Sequence, residues 1–369
     1  MLVSCKADAS RLHLLWFSYM STPGLSVSVA MATYNGERHI RRQLDSLAAQ
    51  SHVPAQLVIS DDNSEDKTVD AIKAFAETVS FPVEISRNET RLGYRANFMR
   101  AASLCRSELI AFCDQDDYWY PDKIAASVKP FDDPDVLLAY HNADVVSAEG
   151  KQIETLANFG ALQSLLMPMS TGPWQFALGF TEVLRRSLLR FSDLWPNSCD
   201  AVEAGKPMAH DQWFFFLASV FGKIAYLDKP LVAYVQHATN TYGFWHDPSF
   251  WQAVKYQVRD RSDEYSLYAK AAESRAIILE GVRTGLDKAW AQRAVAAAEY
   301  YRKVSRLYDD RSTLYTSGSL GERLKAFRAI LDTGGYTGQW GIKRKSVVVD
   351  MCLGVPLGHF MRSRAEPRQ

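Results

Sequence analysis

Three carboxylates crowd into four residues at Asp114-Gln115-Asp116-Asp117, directly after the apolar run Leu109-Ile110-Ala111-Phe112-Cys113. Like charges packed so closely repel unless a cation neutralises them. Hard divalent ions such as Mg²⁺ or Mn²⁺ take oxygen ligands of this kind and commonly share them with substrate phosphates. An ion held there would bind a diphosphate and steady it as it leaves. The competing reading is an acidic loop in which Asp117 or Asp122 caps a helix near Pro121.

Other candidates fall at comparable places. Asp61 and Asp62 close the run Gln56–Ser60 and suit either hydrogen bonds from a base N–H or ribose hydroxyl, or turn and cap chemistry, one of the pair doing each job. Tyr34 can stack on a nucleobase and Gly36 lets backbone approach a ligand, with a plain turn as the alternative. Gly93 permits a tight approach while Arg95 and Asn97 point toward ribose or phosphate; a capped helix start is the equal alternative. His210-Asp211-Gln212-Trp213 opens an apolar helix, where Asp211 serves as a cap or as a general base for an attacking hydroxyl. His237 follows the run Val232–Val235 and is either structural or a ligand to metal or phosphate.

These residues need elements to hold them. Val27–Ala32, Gln56–Ser60, Val83–Ser86 and Leu109–Cys113 read as strands, separated by helical spacings at Ile40, Leu44 and Leu47, at Val69, Ile72 and Ala76, and around Asn97–Leu104. Such alternation implies βαβ units and a mainly parallel sheet, in which ligands sit beyond the carboxyl ends of the strands. Tyr34, Asp61-Asp62 and Asp114–Asp117 all fall at such ends, which joins them into one candidate site. Val136–Tyr140 is a further strand running into Asn142 and Asp144, and residues 145–175 read as irregular. Phe180–Phe191 and Asp211–Phe221 read as helices, Ile224–Leu227 and Leu231–Val235 as a closing pair of strands. After about Phe250 the chain is helical, rich in Ala and charge, and interrupted at Gly334-Gly335 and Gly338 before the apolar stretch Val347–Phe360. The division is therefore an extension over 1–24, read either as disordered, or as the product of a start codon placed too early, or as a membrane-touching segment, then an α/β domain over 25–245 and a helical region over 246–369.

The 369 residues carry 42 basic and 42 acidic side chains, so bulk nucleic-acid binding is not expected. Beyond residue 250, however, 21 Lys and Arg face 13 Asp and Glu. That basic region points to an anionic neighbour such as a membrane surface, or to ordinary solvated helix faces. No run of about 18 apolar residues occurs, and Leu12–Met20 is too short to span a bilayer. Five cysteines without a C-x-x-C pair read as small buried hydrophobes in a reducing compartment.

Taken in order, Val27–Glu37, Leu57–Ser64, Asn88–Asn97, Phe112–Lys123 and His210–Trp213 resemble the motifs of family 2 glycosyltransferases. Gly222–Asn240 is similar to the bacterial rhamnosyltransferase-like branch, and the likeness spans roughly residues 25–245. It implies a GT-A (Rossmann-like) fold and a nucleotide-diphosphate sugar donor, with inversion at the anomeric carbon. Tyr34 and Asp62 resemble nucleobase contacts, with Gly93 and Asn97 in the same donor-binding set. Asp116 matches a direct metal ligand, and Asp114 lies nearer ribose or the metal's waters. Asp211 matches the acceptor base, and His237 resembles a late histidine near the diphosphate. Phe176–Arg186 departs from the Gly-Cys-Thr-like acceptor stretch, and no Q-x-x-R-W motif follows Asp211, which favours transfer of one sugar over processive synthesis.

The expectation is a metal-dependent transfer, from a donor such as dTDP-rhamnose, to a glycan or lipid-linked acceptor of cell-surface polysaccharide. It would take place in the cytoplasm or at the inner face of the membrane. The alternative is a nucleotide-sugar-binding module without catalysis.

Overall fold

The computed structural model describes residues 25–156, 163–237, 262–282 and 285–362. Cys5, Leu12–Met20 and the stretch 238–261 lie outside them.

Four parallel strands form one half of a ten-stranded sheet: β1 (Val27–Thr33), β2 (Gln56–Asp61), β3 (Val83–Arg87) and β4 (Leu109–Cys113). Helices α1 (Ile40–Ala48), α2 (Thr68–Ala76) and α3 (Tyr94–Ser103) make the crossovers. In β1, β2 and β4 every residue but one is buried, so each reads as a continuous apolar run. Alternation still sorts the side chains. Val29, Met31, Leu57, Ile59 and Ala111 pack with Ile40, Leu44 and Phe75, while Ala30, Val58, Ile110 and Phe112 pack with Phe98 and Phe214. The sheet is thus covered on both faces. Thr33 pairs with Asp61, and Met31 with Cys113, so these strands end together and their loops gather on one edge.

The other half contains β5 (Tyr118–Trp119), α4 (Lys123–Ser127), β6 (Val136–Ser147), β7 (Gln152–Thr155), β8 (Leu165–Leu166), β9 (Glu182–Arg185), α5 (His210–Phe221) and β10 (Lys223–Gln236). The main strand order is β3-β2-β1-β4-β9-β6-β10-β5, with β9 antiparallel to both β4 and β6. Here the structure corrects the helix expected over 180–191. Glu182–Arg185 is a strand wedged between β4 and β6, followed by 3-10 turns. Val183 and Leu184 are buried on opposite faces, a pattern whose apolar spacing cannot be told from a buried helix. The expected closing pair is likewise one strand, β10, parallel to β6 with its register slipping on both sides of Pro230, which has no N–H to give a ladder. β6 continues through Asn142 and Asp144 to Ser147, so part of the stretch read as irregular is strand.

The helical region is present as α6 (Ser262–Val282), α7 (Lys288–Thr316), α8 (Leu320–Asp332), α9 (Ser346–Val349) and α10 (Val355–Arg362). One buried cluster runs from Ile110 and Phe112 through Phe214 and Phe216 to Tyr301 and Leu307. Arg275 of α6 completes the seam, donating to the carbonyl of Pro173 and lying 5.2 Å from the Phe216 ring. Among the described residues, no helix is long and apolar enough to cross a membrane.

Candidate active site

The acidic loop after β4 gathers one ligand atom each from Asp114, Asp116 and Asp117 within 4.8 Å of one another. Three elements hold it. Arg42 of α1 donates to the Asp116 carbonyl at 3.1 Å, and Val235 N–H of β10 donates to Asp117 Oδ1 at 3.1 Å. His237, just past β10, places Nε2 2.9 Å from Asp116 Oδ2, and its ring stacks on His39 at 4.3 Å. Burial, then Asp116 and Asp211, push the Asp114 carboxyl up to about 8, and burial raises Asp117 well above the carboxylate range. Asp117 Oδ2 is buried without a partner among the described residues. A crowded all-oxygen set with one orphaned carboxylate oxygen fits a hard divalent cation, whose charge would relieve this repulsion.

On the β1 side of the acidic loop, Tyr34 leaves the strand with its backbone gripped by Gln115. Its N–H donates to Gln115 Oε1 at 3.0 Å, and Gln115 Nε2 returns a bond to the Tyr34 carbonyl at 3.1 Å. The Tyr34 ring carries the Arg91 guanidinium 4.0 Å from its centre. Gly36 leaves room for the same side chain, since a Cβ there would lie 2.3 Å from Gln115 Oε1. Gln115 was not singled out from the sequence, because only the fold reveals that it ties the β1 and β4 loops together.

The two aspartates after β2 divide their work. Asp61 accepts from Ser64 N–H, Ser64 Oγ and Thr33 Oγ1, which is turn chemistry. Asp62 latches the loop over residues 88–93, accepting from Asn88 Nδ2, Leu92 N–H and Gly93 N–H at 2.7–3.0 Å. Gly93 has φ +81°, a conformation other residues rarely adopt, at the N-terminus of α3. Asn97 is buried beneath the loop, donating to the Thr33 and Ser60 carbonyls and accepting from Asn88. Arg95 does not point to ribose or phosphate as expected. It forms ion pairs with Asp200 at 2.7 Å and Glu203 at 3.0 Å, anchoring α3 to the segment before α5.

Asp211 stands in the first turn of α5, where its Oδ1 accepts from Gln212 N–H at 2.7 Å. Burial raises its carboxyl to about 6, against the lowering pull of backbone N–H groups of Gln212 and Gly179. A carboxylate tuned there is well matched to general-base work near neutral pH. Asp211 is near enough to Asp114 for its charge to add to the upward push on that carboxyl. The neighbouring His210 is buried, stacked 3.9 Å from Phe98 and kept neutral by burial. Gly179 gives it room, as a Cβ there would lie 2.4 Å from His210 Nε2. Glu182 at the start of β9 is fully buried with neither carboxylate oxygen partnered among the described residues. Burial and then Asp211 hold it well above the carboxylate range.

Residues 28–191 match the glycosyl transferase family 2 model. An uncharacterised protein of Mycobacterium tuberculosis is 29% identical over 237 residues, covering 61% of this chain and 64% of that protein. The match thus spans under two-thirds of that relative's length. The dTDP-rhamnosyl transferase RfbG of Shigella flexneri is 29% identical over 226 residues, 58% of this chain and 73% of RfbG. Among solved structures, S. aureus TarS 1–349 in complex with UDP-GlcNAc superposes with a TM-score of 0.51 at 19% identity, covering 92% of this chain and 88% of that one. The GT-A-like architecture is therefore common to both.

Proposed function

We propose that this chain, whose residues 28–191 match the glycosyl transferase family 2 model, transfers one sugar, with inversion, from a nucleotide-diphosphate sugar to an acceptor hydroxyl. The observation that carries this reading is the cluster of Asp114, Asp116 and Asp117 at the strand-end edge, their ligand atoms within 4.8 Å of one another. Similarity to RfbG favours dTDP-rhamnose as donor, and TarS 1–349 is a fold relative that binds UDP-GlcNAc. The proposed acceptor is a glycan or lipid-linked intermediate of cell-surface polysaccharide, met at the inner face of the membrane.

Asp116 and Asp114, with His237 beside them, are the proposed holders of a divalent ion, Mn²⁺ or Mg²⁺, which when bound supplies charge to the departing diphosphate. Tyr34 offers its ring to the base. Asp62 accepts with both oxygens from residues 88–93 instead of being free for a base, so with Gly93 and Asn97 it holds that loop beside the donor. Asp211 takes the proton from the acceptor hydroxyl as that oxygen attacks C1. The bond from C1 to the diphosphate oxygen breaks, and the nucleoside diphosphate departs with the electron pair.

Incubation with labelled nucleotide sugars and Mn²⁺ tests the proposal. Transfer, or slow donor hydrolysis, that disappears in Asp211→Asn supports it. Donor binding with no turnover across the whole panel would instead make the chain a binding module.

A further inference from the structure

Six of the fourteen large apolar side chains exposed among the described residues fall within the short span 320–357. Leu320, Leu324 and Leu331 are 47–52% exposed and share one stripe of α8, at spacings of four and seven residues. Partly buried Phe327 lies on the same stripe, whereas Arg323, Ala326 and Ile330 turn inward. The following helical run exposes Val348, Met351 and Leu357 at 48–58%. The two helices are joined, since Arg323 Nε donates to the Val355 carbonyl at 2.7 Å. Apolar stripes of this kind on adjacent helices exceed the scattered exposure of an ordinary surface.

The charge beside them is mostly basic, with Glu322 and Asp332 exposed on α8 as well. Lys343, Arg344 and Lys345 are exposed in succession at the entrance to α9, and among the described residues none of the three has a carboxylate partner. Lys325 and Arg328 are exposed on α8, with Arg328 loosely paired to Asp332 at 3.8 Å. Exposed leucines beside unpaired basic groups match the chemistry of a bilayer surface, where apolar groups enter the acyl boundary and cations meet anionic headgroups.

We propose that α8 and the helical run after Lys345 form a monotopic docking face for an anionic lipid bilayer. Leu320, Leu324 and Leu331 would be the inserted apolar edge, and Lys343–Lys345 the headgroup contact. The proposal deepens the reading of a lipid-linked acceptor and rests on it, yet it is tested by lipid binding alone.

The experiment is co-sedimentation of the full chain with vesicles of phosphatidylcholine containing 30% phosphatidylglycerol, and with phosphatidylcholine alone, at low and high salt. Binding should favour the anionic vesicles at least about tenfold and weaken with salt. The triple variant Lys343→Gln/Arg344→Gln/Lys345→Gln should lose about a hundredfold, three charges each worth most of a factor of ten. The triple variant Leu320→Ser/Leu324→Ser/Leu331→Ser should also lose binding while keeping the thermal transition and the donor-induced thermal shift of the parent. Equal binding to both vesicle types, or retention of binding in both triple variants, would overturn the proposal. So would a dimer in light scattering that the leucine variant abolishes, which would assign the face to a second copy of the chain. A parent that binds vesicles but turns over no donor leaves the docking face standing and removes only the transferase reading.

Discussion

His237 Nε2 meets Asp116 Oδ2 at 2.9 Å, joining the end of β10 to the acidic loop across 121 residues of sequence. The contact puts an imidazole beside the carboxylate proposed to hold the ion. It also closes the site between its two halves, since Asp116 follows β4 and His237 follows the strand that grips Asp117 through Val235.

Adding a divalent cation should stabilise the protein more as pH rises. Asp114 is pushed up to about 8 in the fold, so between about 4 and about 8 the native state holds a proton that the unfolded chain has released. Without a cation, stability contributed by this group is full at low pH and falls as pH passes through that window. Melting temperatures with Mn²⁺ or with chelator, measured from pH 5 to 8, should diverge progressively. Parallel curves would count against the ion site, and Asp116→Ala should make them parallel.

Asp211→Asn should lower turnover by roughly 10²- to 10⁴-fold and leave donor affinity almost unchanged. In the parent, Asp211 must be ionised to accept a proton and its carboxyl lies at about 6. The rate, as kcat/KM for the acceptor, should therefore climb through pH 6 and flatten above it. A profile flat from pH 5 to 7 would remove Asp211 from the role of base.

Gly36→Ala places a Cβ against the end of the Gln115 side chain, which must swing aside and give up its two bonds to Tyr34, and should cost about 1 kcal/mol of stability. Gln115→Ala removes the obstacle. The double variant should therefore be more stable than the sum of the single effects, and additive denaturation free energies would contradict the contact.

Glu182→Gln replaces a buried carboxyl by an uncharged side chain of the same shape. Burial raises Glu182 in the fold, so its ionisation opposes folding increasingly as pH rises above the ordinary carboxylate range. The variant should match the parent at pH 4 and melt higher at pH 8; a lower melting point at pH 8 would show that the carboxylate is needed.

Much of this was readable from the chain. β1, β2 and β4 are buried on both faces, so they stand out as unbroken apolar runs, and the polar residues that end them mark the functional edge. What escaped depends on distant partners. Gln115 matters because Tyr34 lies against it, Gly179 because His210 does, and Arg95 because Asp200 and Glu203 come to meet it. The β9 strand was hidden by an apolar spacing that suits helix and buried strand alike. Ile224–Leu227 and Leu231–Val235 read as two strands, but the sheet joins them across Pro230 by slipping register.

The helix that bears Asp211 is braced from behind. Phe214 lies 5.6 Å from Phe112 on the sheet side, while Phe216 meets Tyr301 at 5.5 Å and Phe221 meets Trp290 at 4.8 Å on the side of α7. A chain ended after β10 would leave that aromatic flank bare to water and let the helix tilt. The C-terminal helices thus help fix where the Asp211 carboxylate points, and exchanges at Trp290 or Tyr301 should shift it without touching Tyr34 or the acidic loop.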